Sequence, residues 1–147
     1  MFKWIIVANE HYDELRKIPN YSGYQDIPAV NEDMVNIRNG LIGLGARETD
    51  IITLTDVTFK RLSNVMKELV SDVYRNNSMG IKTFIFYYYA GHGAMLSGQS
   101  VCVLNESRKF PIEKQLREIA GLENSYVVGL MDCCRETIRE QTRGGGE

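Results

Sequence analysis

The 147-residue chain is 44% hydrophobic and 24% charged, with 17 basic against 19 acidic side chains, which describes one ordinary domain large enough to bury a core. A net charge of -2 with no run of like charges gives no electrostatic basis for nucleic acid or an anionic membrane as partner. The apolar stretches are far short of a membrane span, and Met1-Phe2-Lys3 enters the first of them without a cleavable signal pattern, so a cytoplasmic location is expected. Three cysteines, Cys102 and the adjacent Cys133 and Cys134, form no disulfide framework and suit a reducing compartment, where thiols stay reactive.

In chain order, Lys3 to Ala8 reads as a buried strand. Val30, Met34, Ile37, Leu41 and Leu44 recur at three- and four-residue spacing and stop at Gly45, predicting a helix with a glycine after its end. Ile51 to Leu54 predicts a second strand. Thr58 is a candidate N-cap for a second helix with the stripe Leu62, Val65, Met66, Leu69, Val70 and Val73, ending by Asn76 or Asn77. Thr83 to Tyr89 is apolar and aromatic without alternation, as expected of a strand covered on both faces. A short strand is expected at Ser100 to Leu104. Pro111 opens a third helix as its first residue, with Gly121 after its end, and Tyr126 to Met131 is the last core strand. This alternation predicts an α/β fold, a three-layer sandwich around a mainly parallel sheet, with ligands off the carboxyl ends of the strands.

Two of those strand ends carry unusual chemistry. One runs into Ala90-Gly91-His92-Gly93 and the other into Asp132-Cys133-Cys134-Arg135, both on one edge of a parallel sheet. Taken singly, the first is a turn with an incidental histidine and the second a small buried thiol. Together they form a pair, because a thiol needs a nearby base to supply thiolate at neutral pH, and His92 and His11 are the only histidines.

The strand-terminal Tyr88-Tyr89-Ala90-Gly91-His92-Gly93 with Asp132-Cys133-Cys134-Arg135 resembles the caspase-like cysteine peptidases: caspases, metacaspases and paracaspases. The likeness extends to an opening strand ending in Asn9 with Tyr12 close behind, and to Asp33 at the head of the first long helix. It implies a caspase-like fold, and a nucleophile one residue before Arg, which selects Cys134 over Cys133. His92 would then act as acid and base, and the backbone N–H groups of Gly93 and Cys134 would receive the oxyanion, with Gly93 leaving room for the carbonyl. Where caspases that cut after Asp place an arginine, this chain has Ile27, with no Arg between Arg16 and Arg38. Metacaspases and paracaspases present acids at the positions of Asp33 and Asp132, which implies cleavage after Arg or Lys. Helix-start chemistry is the simpler alternative for Asp33, with Glu32 beside it.

The resemblance further implies protein or peptide substrates, no cofactor and no metal. Residues 1–140 would form the large-subunit region, and residues 141–147 a flexible tail at the position of the family's intersubunit linker. A small-subunit segment or second chain would complete the domain, and an oligomer is compatible with this arrangement. Glu136 stands where caspases commonly have glycine.

Rival chemistry is weak. Cys133 and Arg139 have the spacing of a cysteine phosphatase loop, but Glu136 and Glu140 crowd it with negative charge. Gly91-x-Gly93 lacks the third glycine of a dinucleotide turn, having Leu96 there, and His92, Cys102, Cys133 and Cys134 lack metal-ligand spacing. The alternative from another class is a non-catalytic caspase-like scaffold, against which the presence of both His92 and Cys134 argues.

Overall fold

Alternation along the first strand decides the layering. In β1 (Phe2–Ala8), Ile5 and Val7 face one way and Ile6 and Ala8 the other, and all four are inaccessible to solvent. The computed structural model describes residues 1–133 and the backbone of residues 135–138. Four parallel strands, β2 (Ile51–Thr55), β1, β3 (Thr83–Ala90) and β6 (Ser125–Asp132), make the central sheet in the order β2-β1-β3-β6. Helix α2 (Ala29–Gly43) packs Val30, Met34, Ile37 and Leu41 on the Ile6 face. Helices α3 (Phe59–Ser78) and α4 (Ile112–Ala120) pack on the other, where Leu62, Val65, Met66, Leu69 and Val73 meet Ile85, Tyr87 and Tyr89. Each side chain of that stripe contributes roughly 1.5–3 kcal/mol by leaving water. This is the expected three-layer α/β sandwich.

The predicted elements end within two residues of those observed, and Thr58 does cap α3, its hydroxyl accepting from the Arg61 N–H at 3.1 Å. Pro111 is the N-cap of α4 and not its first residue. The predicted short strand runs Gln99–Cys102 and is β5. A single turn, α1 (Asp13–Arg16), a 3-10 turn at Glu48–Asp50, β4 (Gly93–Leu96) and β7 (Arg135–Ile138) are too short to show a period. Strands β5, β4 and β7 make a second sheet in that order. Ser97 (φ 51°) and Gly98 (φ 76°) link β4 to β5 as a two-residue hairpin in which both residues take positive φ.

One expectation fails. The sheet is not covered on both faces throughout, because α2 stops short of the β6 side. On that face Phe84, Tyr126, Val128 and Leu130 are exposed, and Phe2, Phe84 and Tyr126 stack at 5.1 and 5.0 Å between ring centres. A depression of about 490 Å³ lined by Phe2, Trp4, Phe84 and Tyr126 lies there, at the amino ends of the strands and away from His92. Among the described residues no helix is long and apolar enough to cross a membrane.

Candidate active site

Strand register brings the chemistry together. Ala8 pairs with Ala90, and Ala90 with Asp132, so the segments beginning at Asn9, Gly91 and Cys133 leave the sheet side by side at its carboxyl edge. The Asn9 N–H donates to the Ala90 carbonyl at 2.9 Å, which ties the first two of these exits together, and its side-chain Oδ1 accepts from the Val57 N–H at 2.9 Å, which ties them to the segment after β2.

His92 is half-buried and held from four directions. Its N–H donates to the Tyr12 hydroxyl at 2.7 Å, and its carbonyl accepts from the Tyr89 hydroxyl at 2.6 Å and the Val103 N–H at 3.0 Å. Tyr12 and Tyr24 meet its ring edge-on, with centres 4.5 and 5.0 Å away. Its Nε2 lies 2.7 Å from the Gln25 carbonyl oxygen. A carbonyl only accepts, so Nε2 carries a hydrogen and Nδ1 is the nitrogen left to take a proton. Burial pushes the Tyr12 phenol up to about 12 and Tyr89 well above its ordinary value, so both stay neutral hydrogen-bonding groups. Glycine is required at position 91 because a Cβ there would lie 2.7 Å from the Tyr89 hydroxyl and 2.8 Å from that of Tyr12.

Gly93 answers to a neighbour the sequence did not suggest. A Cβ at this position would overlap the Cys133 sulfur and stand 3.3 Å from its Cβ. Cys133 is half-buried and packs on the α3-side core, turned inward against Gly93. Gly93→Ala is therefore expected to destabilise the fold by about 1–3 kcal/mol, with much of the loss recovered in Gly93→Ala/Cys133→Ala. Urea unfolding of the two variants measures this, and an unrelieved loss in the double variant contradicts the contact. Cys134 lies outside the described residues, as do Arg139 and residues 141–147 with Arg143.

Asp132 is bonded to a tyrosine whose hydroxyl also feels the charge of Asp33. The Tyr88 hydroxyl donates to Asp132 Oδ2 at 2.8 Å. Burial, that bond and the charges of Asp132 and Asp33 all raise the Tyr88 pKa, which puts both carboxylates within electrostatic reach of one hydroxyl. Asp33 is half-buried and lies beyond the first turn of α2, where Glu32 is the acidic residue, so helix-start chemistry does not account for it. Among the described residues neither carboxylate is in an ion pair. Ile27 packs into the core beside α2, its N–H donating to the Glu10 carbonyl at 2.9 Å.

The other histidine is elsewhere in chemical character. His11 is exposed, 3.6 Å from Glu10, 3.6 Å from Asp26 and 3.8 Å from Asp56. The described residues include no group of three or more such side chains suited to holding a metal ion. Desolvation pulls the His11 pKa down, but Asp56, Glu10 and Asp26 outweigh it and the net shift is upward. A group whose folded pKa is raised stabilises most below the unfolded value near 6.5 and loses that contribution as pH rises through the folded one. The urea midpoint of the wild type should thus exceed that of His11→Gln by more at pH 5.5 than at pH 8.5; a constant difference refutes the coupling.

Among known protein families, the caspase domain family matches residues 3–147. The chain belongs to this family. A search of curated proteins found no match. Membership supports cysteine-peptidase function in general, and it implies protein substrates. Tyr12, Tyr89 and the Gln25 carbonyl were not assigned roles from sequence. The first two were legible only as strand-end and strand aromatics, and a backbone carbonyl leaves no side-chain signal at all.

Proposed function

We propose that this caspase domain is a cysteine endopeptidase in which Cys134 is the nucleophile, His92 the acid and base, and Asp33 and Asp132 the selectors of Arg or Lys, as in metacaspases and paracaspases. The observation that carries the reading is the His92 Nε2 contact to the Gln25 carbonyl at an exit aligned with Asp132, which leaves Nδ1 as the basic nitrogen. Nδ1 would take the thiol proton, and the thiolate would attack the scissile carbonyl to form a carbon–sulfur bond. The imidazolium would return its proton to the amine as the carbon–nitrogen bond breaks, and then activate water to hydrolyse the thioester. The N–H groups of Gly93 and Cys134 would stabilise the oxyanion.

Two carboxylates near one phenol, with no ion-pair partner among the described residues, support a guanidinium or ammonium as the group they receive. The exposed apolar face at Phe84, Tyr126, Val128 and Leu130 supports a further small-subunit segment packing beside β6. The test is labelling by peptide electrophiles ending in Arg, Lys or Asp. Labelling by the basic probes that requires both Cys134 and His92 supports the reading, and absence of labelling in the complete assembly supports a scaffold instead.

A further inference from the structure

The loop between α1 and α2 is built around one arginine. Arg16 Nη1 donates to the Tyr24 carbonyl at 2.9 Å and to Asp26 Oδ1 at 2.7 Å, so a single guanidinium nitrogen grips the residues on either side of Gln25. Asp26 Oδ1 also accepts from the Tyr12 N–H at 2.9 Å, joining the loop to the segment whose phenol holds the His92 backbone. Between the two gripped residues, the Gln25 carbonyl meets His92 Nε2 at 2.7 Å.

We infer that Arg16 and Asp26 are positioning residues: a clamp that presents the Gln25 carbonyl to His92 and thereby sets which imidazole nitrogen is the base. The inference rests on the peptidase reading for its consequence in catalysis, though not for its effect on His92 itself. Without the clamp, the Gln25 peptide can turn its carbonyl away, and a neutral imidazole then divides its proton between Nδ1 and Nε2. The Nδ1–H form cannot accept the thiol proton at Nδ1.

Geometry and exposure separate this role from a structural one. The Arg16 side chain is 28% exposed and that of Asp26 37%, and an ion pair so open to solvent adds little to folding stability. Its bonds to Arg16 and Tyr12 hold the Asp26 carboxyl down at about 2, so it stays ionised across the pH range of peptide cleavage. The other charged groups near Asp26 are His11, 3.6 Å from its Oδ2, and Asp13, whose carboxyl feels its charge.

The experiment uses the full chain and the variants Arg16→Gln, Arg16→Lys and Asp26→Asn, with three readouts. Nitrogen-15 NMR of His92 at alkaline pH reports the tautomer, urea unfolding reports stability, and cleavage of an Arg-containing peptide by the complete assembly reports kcat and KM. The wild type should show the Nε2–H form, and Arg16→Gln a mixture of tautomers. In Arg16→Gln, kcat should fall about tenfold with KM within about twofold and the unfolding midpoint little changed. Arg16→Lys should recover part of this, because a single ammonium nitrogen can also donate to both acceptors but its differently shaped stem does not carry it to the position Nη1 holds. Asp26→Asn retains an acceptor oxygen and should lie between. An unchanged Nε2–H signal in Arg16→Gln overturns the clamp, as does a loss of kcat that tracks the unfolding midpoint across all three variants. If Arg16→Gln does not fold, the Asp26→Asn tautomer decides in the same way. A wild-type assembly that cleaves nothing refutes the peptidase reading alone, since the NMR comparison stands without turnover.

Discussion

Cys134→Ala is expected to abolish peptide cleavage, by about a thousandfold or more, while Cys133→Ala retains most of it. Cys133 packs into the α3-side core against Gly93. Cys102, fully buried, is held protonated: burial raises its pKa far above the ordinary value despite a contact of 3.7 Å to the Tyr87 hydroxyl. Loss of activity to the same degree in both single variants overturns the assignment. His92→Ala should match Cys134→Ala, and the double variant should be little worse than either, because residues that act as one unit lose their contribution together. A double variant far below both would mean that His92 works elsewhere. These measurements belong on the complete assembly, with single-turnover kinetics to separate acylation from product release.

Specificity is the second large effect. A peptide library should show cleavage after Arg or Lys, and Asp33→Asn or Asp132→Asn should each lower kcat/KM for an Arg peptide by about 2 kcal/mol or more, near thirtyfold, chiefly through KM. Asp132 is exposed and Asp33 half-buried before substrate arrives, which places the expected loss at the lower end of the range for desolvated charge pairs. The Tyr88 hydroxyl on Asp132 orients one carboxylate and leaves its remaining lone pairs for the substrate cation. A clear preference for Asp at the cleaved position would overturn the acidic pocket. Arg143, beyond the described residues, is a candidate self-processing site under this specificity. Mass spectrometry of the assembled protein tests it, and absence of that cut removes only the processing idea.

Much of the frame was legible because each long element announces itself locally. Buried strands need apolar runs, and α3 needs a stripe at helical spacing, so β1, β3, β6 and α3 could be found within a few residues of their ends. Glycine beside His92 and a cysteine pair after Asp132 stood out because they fall together at strand ends on one edge of the sheet, and the family likeness rested on them. Exposure of Val128 and Leu130 was not legible, since an apolar run reads the same whether one face or two are covered. Nor was the true neighbour of Gly93, or the bond from Tyr88 to Asp132. Each depends on side chains far apart in sequence that only the strand register brings within reach.

What the sequence determined by itself is the set of elements and the chemistry at the ends of the strands, because hydrophobic period and residue type are local properties. What the tertiary structure alone decided is which nitrogen of His92 meets a backbone carbonyl. That follows from a backbone carbonyl at Gln25, 67 residues away in sequence, and a carbonyl exists at every position of every chain. Its role comes only from where the fold holds it.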